Sequence, residues 1–280
     1  MRGNGWNPTR RNKNIGTKKS GYSQDNKLVI PDRWSEDRVF WERLVSPVIY
    51  PIDIRGHQVT LMIEPPRAGF FHSATPQDIE RILHLFPQAH VEEIEVVVLR
   101  QPKQKELILK PVWGRFIYYA DLGKYEGPGI YLETVKIGDV LKWDKKLTPF
   151  YQLELEMLRS DGHEIETTKR HHFIHTTAQT VRNTQLFRTF SHEMGHAVDY
   201  LLHAEIPARL ASSESESDYI YNKFKAKPSL DKEAFANRYA HEFMDKNRLA
   251  GTVPFEPIFD IDKMTPFGIK PDWFGFSDKV

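Results

Sequence analysis

Thr184–His203 reads TQLFRTFSHEMGHAVDYLLH, and this run decides how the rest of the chain is read. Leu186, Phe190, Ala197 and Leu201 recur at helical spacing and form one apolar seam, so the stretch is expected to be the strongest helix in the sequence. Pro207, just beyond it, marks the expected end. Within the helix, His192-Glu193-Met194-Gly195-His196 sets two imidazoles four residues apart on one face, where both can reach a single ion. Glu193 is turned about 100° from His192, beside the ion rather than on it. A carboxylate there can take a proton from attacking water and deliver it to a leaving amine. Zinc suits two imidazoles and a carboxylate with a fourth position left open, so Zn2+ is the expected cofactor.

The third ligand must come from elsewhere. Downstream, Asp231 can cap a second helix running to about Arg248, with Phe235, Tyr239 and Phe243 as its core stripe. Glu233 falls in its first turn, and Ala236 and Ala240 follow at positions that keep that face small enough for close packing. Glu233 is therefore the expected third ligand, with His241, Glu242 or a histidine of the 163–175 stretch as competitors. Glu214 and Glu216 are weaker candidates, because Ser212–Asp218 (SSESESD) reads as an exposed loop. Asp199 lies seven residues after His192, so it can accept the second N–H of that ring or simply be a solvated acid. His171, His172 and His175 read as a solvated or partly packed run, with a second metal site or a pocket as the sharper alternative.

Composition narrows the classes. The chain has 280 residues, 39 Lys and Arg against 38 Asp and Glu, and a formal charge of +1, so nothing biases the whole molecule toward nucleic acid or anionic membrane. It contains no cysteine, which excludes disulfide scaffolds and thiolate metal sites. No stretch approaches the roughly 18–20 apolar residues of a membrane span. The N-terminus has cations without an apolar segment behind them, so no secretory signal is expected, leaving the cytoplasm or a non-classical export route. Residues 1–27 carry no acid before Asp25 and read as a solvated basic tail; an arm for nucleic acid is the lesser reading.

The other elements follow from local pattern. A short amphipathic helix is expected around Phe40, Trp41 and Leu44. Gln58–Ile63 reads as a strand. Thr75-Pro76 starts a helix that carries Ile79, Ile82, Leu83 and Phe86. Val91–Leu99 reads as a strand, and Phe116–Tyr119 and Ile130–Val135 as a hairpin turned at Lys124–Gly129. Leu153, Leu155 and Leu158 suggest a further helix. Helices and strands mix without regular alternation, which favours an α+β fold. The expected organisation is a basic tail (1–27), an N-terminal extension packed on the core (28–70), a catalytic domain (71–250) and a surface coil (251–280).

Ser191–Tyr200 (SHEMGHAVDY) together with Glu233–Tyr239 (EAFANRY) resembles the zinc-peptidase domain of anthrax-toxin lethal factor and its relatives. The match is specific to these two helices; residues 75–135 fit only in the order and type of elements. The resemblance implies a zincin-like α+β domain with a small mixed sheet and two active-site helices. It implies His192, His196 and Glu233 as ligands and Glu193 as general base. It also implies an edge strand antiparallel to an extended protein or peptide substrate, for which Ile130–Glu133 is the candidate. One position departs: the family has an oxyanion-steadying tyrosine where this chain has Ala226, so Tyr219 and Tyr221 are the candidates for that role, with the core-stripe Tyr239 less suited. The leading expectation is an endopeptidase. A regulatory peptidase that cleaves a repressor, and a non-catalytic protein whose metal staples two helices, are the alternatives.

Overall fold

A computed structural model describes residues 39–103 and 112–276. The basic tail 1–27 and residues 28–38 of the expected extension lie outside the described residues. The region around Phe40, Trp41 and Leu44, expected to be helical, is a turn.

Strict alternation makes the first strand: β1 (Val48–Ile54) buries Tyr50, Ile52 and Ile54 while Pro51 and Asp53 face out. Arg55 and Gly56, at φ 55° and 90°, close a two-residue hairpin into β2 (His57–Ile63), which pairs antiparallel with β1. After the short β3 (Phe70–Phe71), Thr75 caps α1 (Pro76–Leu85) in a reciprocal capping box with Asp78, and Pro76 occupies the first turn. The helix crosses to β4 (Val96–Arg100), which runs parallel to β2. The strand expected over Val91–Leu99 thus begins five residues later, because Gln88–Val91 closes a helical turn after Pro87.

β5 (Gly114–Asp121) and β6 (Glu126–Glu133) form the expected hairpin, although its turn is shorter, and Gly127, Pro128 and Gly129 belong to β6. Strand order is β1-β2-β4-β6-β5, a mixed sheet in which β6 is interior and β5 is an edge. β1 and β2, assigned by sequence to an N-terminal extension, are therefore part of the same sheet as the hairpin. The residues of β6 announce its place: Ile130, Tyr131 and Leu132 are buried on both faces, as interior strands require.

β7 (Val135–Lys136) pairs with β3. β8 (Val140–Asp144), α2 (Pro149–Ser160), β9 (Glu164–Thr167) and β10 (His171–His175) build a satellite. Its three strands, in the order β8-β10-β9, close with α2 over Leu155, Leu158 and Ile174.

The helical backbone then runs without a break from 178 to 209. It winds more widely at Asn183–Thr189 and Leu201–Glu205, on either side of α3 (Phe190–Tyr200). The helix does not stop before Pro207 as expected; the wide turn ahead of it accommodates a residue without an N–H. Ser213 caps α4 (Glu214–Ala226), so most of the stretch read as an acidic loop is the acid-rich first turn of a helix, where the dipole favours it. α5 (Ser229–Leu249) follows directly and starts two residues before Asp231.

α1, α3 and α5 cover one face of the sheet. The main core lies between, with Ile63, Leu83, Val97, Ile130, Phe190, Met194 and Phe243 among its members. The C-terminal stretch is not a surface coil. Val253, Phe255, Met264, Ile269 and Phe274 belong to this core, and a buried Asp78–Arg182 ion pair ties the stretch in through the Phe255 carbonyl and the Ile258 N–H. The opposite sheet face carries Met62, Val96, Val98 and Tyr131, with Trp41 and Leu44 packed on them. No helix among the described residues is long and apolar enough to cross a membrane.

Candidate metal centre

The four-residue spacing on α3 brings the Nε2 atoms of His192 and His196 to 3.1 Å from each other. Glu233, from α5, closes the set: its carboxylate oxygens lie 3.3 Å from the His192 Nε2 and 3.5 Å from the His196 Nε2. A tetrahedral ion with bonds of about 2.0–2.1 Å requires donors roughly 3.3 Å apart, so the three separations suit zinc. Among the described residues, these three form the one group of three or more His, Asp or Glu side chains with converging donor atoms. The competitors fall elsewhere. His241 is exposed beside Asp245, Glu216 bonds Ser212, the His171 and His172 rings meet Asp144 and Thr167, and the His163 ring bonds the His175 carbonyl.

Close helix packing sets this convergence. A Cβ on Gly195 would stand 2.8 Å from the Ala236 Cα and 2.9 Å from its carbonyl oxygen, so α3 and α5 touch backbone to backbone. Gly195→Ala is therefore expected to push α5 outward and weaken zinc binding about tenfold or more, the scale of lost ligand support. Competition with a coloured chelator measures it, and an affinity equal to wild type would remove packing as the cause of the geometry.

Electrostatics match the donor set. Hydrogen bonds from His192 and His196 hold the Glu233 carboxyl well below the usual carboxylate range. Burial draws His192 down, but Glu233, Glu193 and a hydrogen bond with Asn237 outweigh it and raise the ring overall. Asn237 stands four residues after Glu233, on the same face of α5, and bonds the ring for which Asp199 was one of two readings. Asp199 instead pairs with Lys227 at 2.8 Å and with the His203 Nδ1 at 2.8 Å. Two helical turns carry it past His192 to the junction between α4 and α5.

Glu193 is buried, and burial raises its carboxyl against the opposing pull of His192, His196 and the Phe116 N–H. That last contact fixes the site's relation to the sheet. Glu133 N donates to Trp113 O, so by the alternation of an antiparallel ladder Gly114 and Phe116 turn their polar groups toward the free edge of β5. Glu193 thus meets the open edge of the sheet. The edge beside the helix is β5, and Ile130–Glu133, the strand expected there, lies one position inward.

Neither expected tyrosine joins the set. Tyr221 donates to Glu205 at 3.2 Å, and Tyr219 is 65 % exposed. Tyr239 contacts His90 and Phe86 in the core. Tyr118 of β5 is instead within the field of these carboxylates: its hydroxyl is pushed up to about 12 by burial and then by Asp199, Glu233 and Glu193. No local pattern identifies Tyr118, because strand order brings it here. No family model, curated protein or solved structure matches the chain.

Proposed function

We propose that the chain is a zinc-dependent endopeptidase of zincin-like architecture acting on an extended segment of another protein. One observation carries the reading: His192, His196 and Glu233 converge while Glu193 contacts the free edge of β5. A metal that only stapled two helices would need no buried acid between its ligands and an open strand.

When bound, zinc would supply Lewis acidity that polarises the scissile carbonyl and makes water a stronger acid. The chain's own groups do the remainder. The edge of β5 pairs with the peptide backbone and holds it extended, with the peptide antiparallel to β5. Glu193, its carboxyl raised by burial, takes a proton from the attacking water and passes it to the departing amine. Tyr118, whose hydroxyl feels the charge of Glu233 and Glu193, is the tyrosine of β5 suited to donate to the developing oxyanion.

Metal analysis tests the first requirement. Purified protein is expected to hold about one zinc per chain, while His192→Ala and Glu233→Ala lose it. Full zinc retention by both variants would reject the ligand set.

A further inference from the structure

Lys232 stands beside the third ligand but does not point into solvent alone. Its Nζ lies 4.7 Å from the ring centre of Phe224 and 5.9 Å from that of Tyr118, and it donates a 3.4 Å hydrogen bond to the Lys225 carbonyl. It forms no ion pair among the described residues, whereas nearby Lys227 is neutralised by Asp199. Phe224 is buried and floors this corner. Tyr118 walls it, its ring 5.1 Å from those of Phe116 and Tyr200.

From these contacts we infer that Lys232 and Tyr118 form a subsite selecting an acidic side chain on the N-terminal side of the scissile bond. The inference rests on the peptidase reading and deepens it. A peptide antiparallel to β5 runs from the Tyr118 end toward Gly114. The residue that reaches Tyr118 therefore precedes the bond cut near Phe116 and Glu193. Alternate side chains of such a peptide point to the α3 side, where they meet the Tyr118 ring and the ammonium. Local charge favours an acid there. Asp199 balances Lys227, whereas among the described residues no carboxylate pairs with Lys232, so its charge is open to an incoming acid. Its aromatic neighbours remove part of its hydration, which strengthens a carboxylate contact over one in open water.

The test uses the full zinc-loaded chain on a peptide mixture, with cut sites read by mass spectrometry for wild type, Lys232→Glu and Lys232→Met. Wild type is expected to favour Asp or Glu at one position before the cut by about fivefold, the scale of an exposed ion pair. Lys232→Glu should turn that preference toward Lys and Arg, and Lys232→Met should abolish it while cleavage continues. Equal cutting irrespective of charge by wild type, or an unchanged acidic preference in Lys232→Glu, overturns this subsite and leaves the peptidase reading standing. No cleavage by zinc-loaded wild type overturns both.

Discussion

Glu193→Gln is expected to keep a full complement of zinc and to lower peptide cleavage by about 10²–10⁴-fold, the usual worth of a general base. The substitution is nearly isosteric in a buried position, and a glutamine oxygen still accepts the Phe116 N–H. None of the three converging donors changes. What disappears is a group able to hold the proton between water and leaving amine. Zinc content by mass spectrometry and turnover of a quenched fluorescent peptide separate the two effects. Wild-type turnover in the variant would remove Glu193 from the chemistry, and loss of zinc would make it structural.

The largest expected effect on stability lies away from the site. Arg182→Leu should destabilise the fold by about 3–5 kcal/mol, because it leaves a carboxylate buried without its counter-charge. Both side chains of the Asp78–Arg182 pair are wholly inaccessible. Arg182 also donates to the Phe255 carbonyl at 3.2 Å and sits against the rings of Phe187 and Phe255. Asp78 further accepts the N–H groups of Thr75 and Ile258. Replacing both charges, as Asp78→Asn with Arg182→Leu, should recover part of the loss. Urea unfolding followed by circular dichroism measures each variant, and a change under about 1 kcal/mol for Arg182→Leu would show that the pair does little to hold the C-terminal stretch.

The legible parts were those written in local periodicity. His192, Glu193 and His196 share a helix, so their relation depends on a fixed rotation per residue. Glu233 lies against both imidazoles, and the alanines after it announce the close-packed face that brings it there. Asn237 was within reach of the same reasoning, being one turn beyond Glu233. What depended on strand order was not legible in this way. The resemblance points to Ile130–Glu133 as the edge, yet its unbroken apolar run suits a strand covered on both faces, and the Arg- and Tyr-bearing β5 is the outer one. Tyr118 and Phe116 reach the site only through that order. The C-terminal stretch hid its burial for another reason: Val253, Phe255 and Phe274 enter the core from irregular backbone, which has no period to detect.

The wide turn at Asn183–Thr189 also has a bearing on how such a helix tolerates change. A turn of this kind contains one residue more than an ordinary one, so it acts as a phase shifter between Arg182, aimed at Asp78, and His192, aimed at Glu233. Wound as ordinary α-helix, the same residues would swing everything downstream by about 100° relative to everything upstream, because the extra residue would no longer be absorbed in the wide turn. The buried ion pair and the convergence of His192 and His196 on Glu233 then could not both keep their bearings, which makes the wide winding of this segment as much a constraint as its composition.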